Sequence, residues 1–146
     1  MKFESRIANP EDKEWLFSLY VSTLKVFIDK TWGWNEEFQR NEFNSNLHPA
    51  HFIIISDKNE DVAAYVLMKR EDHYWLEMLM VTPKRQKQGV GKWIMTRIIK
   101  KSSQMKLPLA LSIMKINPVI SFYTKLGFSV FEEDNDIVKL KRMYDK

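Results

Sequence analysis

The segment KRQKQGVGKW, residues 84–93, constrains the fold of this chain more than any other stretch. It contains two of the only four glycines in 146 residues, Gly89 and Gly91. An apolar run that ends at Pro83 precedes it, and from Val90 onward apolar residues recur at helical spacing. A strand therefore leads through a glycine turn into a helix. Glycines at a helix start let the backbone approach a ligand, and the unpaired N–H groups there attract anions, so we expect a phosphate or pyrophosphate site.

The periodicity of the remaining residues predicts a mixed α/β domain with the order β-α-α-β-β-β-α-β-α-β-β. We treat residues 1–146 as a single domain, because a chain of this length builds one hydrophobic core of ordinary size. The predicted strands cover residues 3–8, 51–57, 61–70, 73–81, 107–116, 128–133 and 137–143, with a hairpin turn at DKNE, residues 57–60. The predicted helices run from a cap at Asn9 to about Lys30, over a shorter stretch after Gly33, from Gly89 to about Met105, and over residues 117–127.

Composition excludes several kinds of protein and site. The chain has no cysteine, which removes disulfides, thiolate metal sites and a cysteine nucleophile, and which agrees with a reducing compartment. No segment has the pattern of a signal peptide or a membrane span, so we expect a cytoplasmic protein with no membrane partner. His48 and His51 flank Pro49 without a carboxylate ligand nearby, so we expect no metal site.

Charge is divided unevenly along the chain. Residues 1–82 carry nine Lys or Arg and fourteen Asp or Glu, a net charge of −5, whereas residues 83–146 carry fourteen and five, a net charge of +9. We expect the basic half to meet an anion, although a solvated basic surface explains the same count. A nucleic-acid-binding module is a further alternative, but the chain shows neither an aromatic platform nor a recognition-helix signature, so we expect no nucleic-acid partner.

Two common phosphate-binding motifs fail at the glycine turn. G-x-x-x-x-G-K-[ST] is absent, and G-x-G-x-x-G has Ile94 in place of its third glycine. The pattern that fits is Q-x-x-G-x-G, from Gln86 to Gly91, and a second segment, NPVISFYTKLGF, residues 117–128, follows the next strand. With the elements between them, these segments resemble the acyl-CoA loop and the later signature of the GNAT N-acetyltransferase superfamily. The resemblance is strong over residues 73–128 and looser elsewhere.

The resemblance implies a fold and a co-substrate. The fold is a mixed, mostly antiparallel sheet of about seven strands with helices on both faces and splayed central strands. The co-substrate is acetyl-CoA, without a metal: the loop would wrap its pyrophosphate, the strand edge before the loop would pair with its pantetheine arm, and the N–H of Val81 would face the thioester oxygen. The cofactor-binding residues implied are Met80, Val81, Arg85, Gln86, Lys87, Gln88, Gly89, Val90, Gly91, Lys92, Asn117 and Tyr123. The side chains of Met80 and Val81 are expected in the core.

Tyr123 is the proton donor that the resemblance implies. The matching tyrosine of the superfamily protonates the departing thiolate, a step that suits a phenol within hydrogen-bond reach. The alternative is a buried tyrosine whose ring packs in the core. Asn117 is expected to cap the following helix on either interpretation.

Glu77 is the candidate base, because the acceptor amine must lose a proton before it attacks. Deprotonating an alkylammonium with a pKa near 10.4 at pH 7 costs roughly 4.6 kcal/mol. Glu77 is the one carboxylate in the apolar strand YWLEMLM, and it matches the strand on which some superfamily members carry a glutamate base. The alternative is an exposed edge position, and His73 is a weaker candidate base.

The acceptor site implied by the resemblance lies at the first helices, in TWGWNEEFQRNEF, residues 31–43. Trp32, Trp34 and Glu37, together with Glu77, would bind a cationic amine through aromatic rings and carboxylates. The alternative places Trp32 and Phe38 in the core and makes Trp34 a partly buried cover.

We therefore expect an N-acetyltransferase that moves an acetyl group from acetyl-CoA to a primary amine of a small molecule or peptide. Transfer is expected by direct attack in a ternary complex, because a chain without cysteine cannot form an acyl-cysteine intermediate. The enzyme is expected as a monomer or homodimer. The alternative is a non-catalytic acyl-CoA-binding sensor or regulatory module, which needs the glycine turn but neither Glu77 nor Tyr123.

Overall fold

A computed structural model describes residues 2–146, and its elements follow the expected order. The strands are β1 (Phe3–Ile7), β2 (Ile53–Asp57), β3 (Glu60–Lys69), β4 (Tyr74–Val81), β5 (Leu109–Met114), β6 (Ser129–Glu133) and β7 (Ile137–Arg142). The helices are α1 (Lys13–Trp32), α2 (Glu36–Asn46), α3 (Val90–Gln104) and α4 (Ile120–Thr124). Short 3-10 turns cover Pro10–Asp12, Pro49–His51 and Pro83–Arg85. Within residues 2–146 no helix combines the length and the apolar character needed to cross a membrane.

The seven strands form one sheet in the order β1-β2-β3-β4-β5-β7-β6. The β1–β2, β2–β3, β5–β7 and β6–β7 pairs are antiparallel, and the β4–β5 pair is parallel. The β4–β5 register runs from Tyr74 opposite Leu109 to Leu76 opposite Leu111, and both strands continue beyond these pairs. The predicted mixed, mostly antiparallel α/β fold is confirmed.

The chain divides into two compact units, of which the first comprises Met1–Val66 and Met78–Lys92. Its core forms where the apolar face of α1 meets α2 and the segment before β2. The ring of Phe43 lies 5.5 Å from that of Phe17 and 5.8 Å from that of Phe52, and all three side chains are buried. Such aromatic contacts contribute packing energy beyond the area that they bury.

Local signals in the first unit formed as the sequence predicts. The Asn9 side chain accepts the N–H of Glu11, and Asp12 accepts the N–H of Asn9, a reciprocal cap that starts the 3-10 turn before α1. Lys58 and Asn59, with φ of 52° and 69°, form the two-residue turn that joins β2 to β3. Two consecutive positive φ values match the right-handed twist of a hairpin, which explains the close β2–β3 pairing.

The second unit comprises Leu67–Glu77 and Trp93–Lys146. Its core contains the inward-facing residues of β4 and β5 and the apolar stripe of α3, which includes the buried residues Ile94 and Ile98. The helix predicted over residues 117–127 is regular only from Ile120 to Thr124. The turn that follows Thr124 closes at Gly127 (φ 96°), where the N–H of Phe128 donates to the carbonyl of Tyr123 at 3.2 Å. This bond is typical of a glycine-terminated helix end.

Candidate active site

The turn between β4 and α3 has the strand–turn–helix structure that the glycine spacing predicts. β4 ends at Val81, and α3 begins at Val90. Lys87 (φ 62°) and Gly89 (φ 89°) hold left-handed backbone conformations, and glycine adopts this conformation without Cβ strain. The amides of Val90 and Gly91 open α3, where the N–H groups have no acceptor within the helix. We call residues 84–91 the glycine loop.

Three side chains of the glycine loop bind the protein's own atoms. The Nε2 of Gln86 donates to the carbonyl of Val81 at 2.9 Å, and the Nε2 of Gln88 donates to the carbonyl of Lys84 at 2.9 Å. The Oε1 of Gln88 accepts a hydrogen bond from the Nε of Arg85 at 3.1 Å. The Gln88 contacts hold the loop internally, and the Gln86 contact attaches it to the end of β4. The side chains of Lys84, Lys87 and Lys92 are exposed and give this region its positive charge.

Arg85 links the glycine loop to the β2–β3 hairpin. Its Nη2 pairs with Oδ2 of Asp57 at 2.5 Å, and its Nη1 lies 3.6 Å from Oε1 of Glu60. Only 17% of the Arg85 side chain and 9% of the Asp57 side chain are exposed, so solvent screens the pair weakly. The main-chain N–H of Lys2 and the Arg85 guanidinium hold the pKa of the Asp57 carboxyl below its usual range. A lowered folded-state pKa means that the stability contributed by Asp57 is present at neutral pH and is lost as the pH falls through that pKa.

Met80 and Val81 lie at the end of β4, the segment that the resemblance assigns to the pantetheine arm. The Met80 side chain is 1% exposed and lies in the core, as expected, whereas Val81 is half-buried. The N–H of Thr82 donates to the carbonyl of Val62 at 2.9 Å. The hydroxyl oxygen of Thr82 is buried and has no hydrogen-bond partner within residues 2–146. Buried polar atoms are nearly always paired, so this hydroxyl suits a bound polar ligand.

Tyr123 lies in the second unit and is 5% exposed. Its ring packs edge-on against Phe122 at 5.1 Å and against Phe128 at 5.6 Å. Burial raises the pKa of the Tyr123 phenol well above its usual range, so the phenol keeps its proton at neutral pH. The structure therefore shows the core packing of the alternative interpretation. The catalytic role remains a prediction.

The side chain of Asn117 accepts a hydrogen bond from the main chain just before α4. Its Oδ1 accepts the N–H of Val119 at 3.1 Å, a capping contact that precedes the helix. Regular α4 starts three residues after Asn117, and Val119 occupies the position before it without a side-chain cap. The capping prediction is thus confirmed for the turn that enters α4 rather than for the first residue of the helix itself. The predicted contact with pantetheine remains a prediction.

Glu77 is exposed on β4, on the same face as His73 and Trp75. Its Oε2 accepts a hydrogen bond from the indole Nε1 of Trp75 at 2.6 Å. His73 Nδ1 lies 2.6 Å from Oδ1 of Asp72, and this contact holds the pKa of the Asp72 carboxyl below its usual range. The exposed position that the sequence left open for Glu77 is the one observed. Its role as a base is a prediction.

A pocket of about 480 Å³ lies at the junction of α1 and α2. It is lined by Trp32, Gly33, Trp34, Asn35, Phe38 and Gln39. Trp32 and Phe38 are 56% and 57% exposed, so the alternative that placed them in the core is wrong. The bulky core positions between α1 and α2 are already filled by residues such as Phe17, Tyr20 and Phe43, whose rings contact one another.

Charged groups contact Trp34, one of the residues that line this pocket. The Nζ of Lys25 lies 5.6 Å from the centre of the Trp34 ring, and the Nε1 of Trp34 donates to Glu36 at 3.2 Å. Glu37 is exposed in the first turn of α2, where a carboxylate also favours the helix dipole. The hydroxyl of Tyr20 donates to Oε1 of Gln39, and burial raises the pKa of the Tyr20 phenol. The pocket is therefore mainly aromatic, and the lining residue Trp34 contacts both a cation, Lys25, and a carboxylate, Glu36.

Histidines and carboxylates do not assemble into a metal site in the described part of the chain. No group of three or more His, Cys, Asp or Glu side chains within residues 2–146 is arranged to hold a metal ion. His48 instead uses its Nδ1 to accept the N–H of Ala50 at 3.1 Å, which caps the short turn before β2.

Comparison with known proteins gives the family. The family model for the Acetyltransferase (GNAT) domain matches residues 48–130, more than half of the chain. The chain therefore belongs to the GNAT acetyltransferase family, and acetyl transfer is the reaction of its class. A search of curated proteins found no match.

Solved structures share the fold at low sequence identity. The PaiA N-acetyltransferase of Thermoplasma acidophilum, solved in complex with coenzyme A, is 20% identical, with a TM-score of 0.76 over 99% of this chain and 100% of that chain. The ribosomal-protein-S18-alanine N-acetyltransferase of Escherichia coli is 15% identical, with a TM-score of 0.74 over 99% and 96%. The N-acetylglutamate synthase of Neisseria gonorrhoeae, complexed with coenzyme A and N-acetyl-glutamate, is 17% identical, with a TM-score of 0.69 over 100% of this chain and 36% of that chain.

Two residues of the candidate site carry no signal that the sequence motifs reveal. Asp57 belongs to a hairpin turn 28 residues before Arg85, and nothing in the local pattern indicates their contact. Thr82 falls between the strand and the loop and reads as an ordinary turn residue. The signal that would identify Asp57 is the low exposure of the Arg85 side chain, 17%, because charged groups with little exposure are normally paired. That exposure is visible only in the tertiary structure.

Proposed function

We propose that this chain transfers an acetyl group from acetyl-CoA to a primary amine by direct attack in a ternary complex. Acetyl-CoA supplies the acetyl group as an activated thioester. The observation that carries the proposal is the glycine loop, a cationic turn at the start of α3 in a member of the GNAT family. Since the chain contains no cysteine, it offers no thiol for an acyl-enzyme.

The glycine loop would bind the pyrophosphate with main-chain amides. The side chains of Gln86 and Gln88 are hydrogen-bonded to carbonyl oxygens of the protein, so these residues would contact the ligand through their main-chain N–H groups. The N–H of Gln86 donates to the carbonyl of Pro83 at 3.3 Å, a long contact that it would exchange for the pyrophosphate. The amides of Lys87, Gly89, Val90 and Gly91 complete the set, and Lys92 would add charge. The main chain of Met80 and Val81 would pair with the pantetheine arm, and Asn117 would hydrogen-bond to it.

Tyr123 would protonate the departing thiolate through its Oη. Support comes from the ordinary chemistry of a phenol, which carries its proton at neutral pH and can donate it to a thiolate within hydrogen-bond reach. Burial raises the pKa of Tyr123 and so makes it a weaker acid than a phenol in water. Glu77 would accept the proton of the amine, directly or through water, and its exposure on β4 gives that proton a route to solvent.

The acceptor amine would bind at the aromatic pocket between α1 and α2. Trp32 and Trp34 line that pocket, and the exposed carboxylate of Glu37 in the first turn of α2 would supply a negative charge for an ammonium group. The acceptor is a small molecule or peptide with a primary amine. We further propose one domain over residues 1–146, a cytoplasmic location and a monomeric or homodimeric enzyme.

The test is a thiol-release assay with acetyl-CoA and a panel of polyamines, amino acids, aminoglycosides and peptides, with product masses recorded. We expect release of coenzyme A with at least one amine and a mass increase of one acetyl group in that amine. If coenzyme A binds in calorimetry but no member of a broad panel is acetylated, the non-catalytic sensor is favoured. If coenzyme A does not bind, both functions are rejected.

A further inference from the structure

Asp57 lies outside the sequence motif of the glycine loop and yet contacts it. Asp57 is the last residue of β2, and its Oδ2 forms an ion pair with Nη2 of Arg85. Arg85 is the second residue of the glycine loop. The other oxygen of Asp57, Oδ1, accepts the main-chain N–H of Lys2 at 2.9 Å. Each carboxylate oxygen of Asp57 therefore has its own partner, Lys2 for Oδ1 and Arg85 for Oδ2. We propose that Asp57 is a positioning residue for coenzyme A binding, which acts by holding Arg85 and thereby fixing the glycine loop. This inference rests on the proposed function.

The Arg85 guanidinium is committed to the protein at three of its nitrogens. Nη2 pairs with Asp57, Nη1 lies near Glu60, and Nε donates to Gln88. Asp57 and Glu60 are the residues at either end of the two-residue hairpin turn. The hairpin therefore offers two carboxylates to one arginine, an arrangement in which the guanidinium tethers the loop instead of reaching a phosphate.

The tether extends into the part of the loop that would meet the ligand. Gln88 accepts from Arg85 and donates to the carbonyl of Lys84, so fixing Arg85 also fixes the residue that precedes Gly89. The loop needs such support, because Lys87 holds a left-handed conformation that a non-glycine residue rarely adopts. A loop that is already ordered binds its ligand more tightly, since the entropy of ordering is not lost on binding.

The variant Asp57→Asn distinguishes this inference from the alternative that Arg85 itself binds a phosphate of coenzyme A. If Arg85 bound a phosphate, removing a competing carboxylate would release the guanidinium and would also remove a negative charge near a polyanion, so affinity would stay equal or rise. If Asp57 positions the loop, affinity falls. Asparagine keeps an oxygen for the N–H of Lys2 but loses the charge that holds Arg85. The two interpretations therefore predict effects of opposite sign.

The experiment is calorimetric titration of coenzyme A into the full chain and three variants. We expect Asp57→Asn to weaken binding about tenfold and Glu60→Gln, at an exposed residue with a longer contact, to weaken it about twofold. Asp61→Asn is the matched control: it removes the same charge from the same hairpin, but Asp61 pairs with Arg6 at 3.0 Å and not with the loop. Its affinity should equal that of the wild type. Equal or tighter binding by Asp57→Asn and Glu60→Gln overturns the inference.

Kinetics and hydrogen exchange separate positioning from general loss of structure. In Asp57→Asn the KM for acetyl-CoA should rise about tenfold while kcat at saturation stays within twofold, whereas partial unfolding would lower kcat in proportion. Amides of residues 84–91 should exchange faster than in the wild type without ligand, and those of α1 should not. Unchanged loop exchange overturns the inference. This exchange measurement needs no coenzyme A, so a wild type that fails to bind it rejects the proposed function separately.

Discussion

Gly33 and Gly89 have nearly the same positive φ, 87° and 89°, and the side chains beside them differ in character. Beside Gly33 the side chains of Trp32 and Phe38 are exposed and line a pocket. Beside Gly89 the side chains of Arg85, Gln86 and Gln88 are bonded back to the protein. The region around Gly33 therefore exposes its side chains to solvent, whereas the glycine loop uses its side chains for hydrogen bonds and ion pairs within the protein.

The difference explains why only one of these regions has a recognisable motif. A site that binds through main-chain amides depends on where glycine is allowed, and this requirement is visible in a short sequence. A pocket made of side chains depends on residues that many patterns supply. We therefore expect the glycine loop to bind the shared co-substrate and the α1–α2 pocket to select the acceptor.

The largest effect is expected for Gly89→Val. A β-branched residue at this φ is strained by about 1–3 kcal/mol and also fills the space in front of the loop amides, so coenzyme A affinity should fall at least about 100-fold. Gly33→Val is the matched control, because its φ is similar and an added Cβ there meets nothing within 4 Å. Calorimetry should show wild-type coenzyme A affinity in the control. Equal losses in both variants would mean that backbone strain alone explains the result.

Tyr123→Phe tests the chemical step separately, because Tyr123 lies neither in the glycine loop nor at the α1–α2 pocket. It should lower kcat about 100-fold by removing the proton donor, while coenzyme A affinity stays within about twofold. Tyr74→Phe, at another buried tyrosine of the second unit, serves as the control and should retain its kcat. Steady-state kinetics on the best acceptor measures both. A Tyr123→Phe enzyme with full kcat assigns the proton transfer to another group.

Trp32→Ala tests the other half of the comparison. Loss of an exposed ring from the pocket should raise the KM for the acceptor about tenfold and leave coenzyme A affinity unchanged. Phe131→Ala is the control, since Phe131 is similarly exposed, at 50%, and lies on β6. If both variants keep the wild-type acceptor KM, the acceptor binds elsewhere.

The smallest effect is expected for Thr82→Val. Replacing a buried hydroxyl that has no partner in the described chain by a methyl group should raise the free energy of unfolding by about 1 kcal/mol. Urea unfolding without ligand measures this change. Lower stability would show that the hydroxyl is paired in solution, for instance with water.

Much of the fold could be predicted because its signals are local. The cap at Asn9, the two-residue turn at Lys58 and Asn59 and the glycine turn before α3 each depend on residues a few positions apart. Alternating or helical spacing of apolar residues then placed the strands and helices within a few residues of their observed bounds. The least accurate boundary is that of α4, where Pro118 and Gly127 leave only five regular helical residues.

The sequence by itself determined the order of elements, the family and the turn proposed to bind coenzyme A. Only the tertiary structure decided that Trp32 is exposed, that Glu77 is held by the indole of Trp75, and that Asp57 holds Arg85. The physical reason is range. Turn and helix signals act between residues that are close in the chain. Exposure and ion pairing depend on which distant segments pack against a residue, and a local sequence pattern does not contain that information.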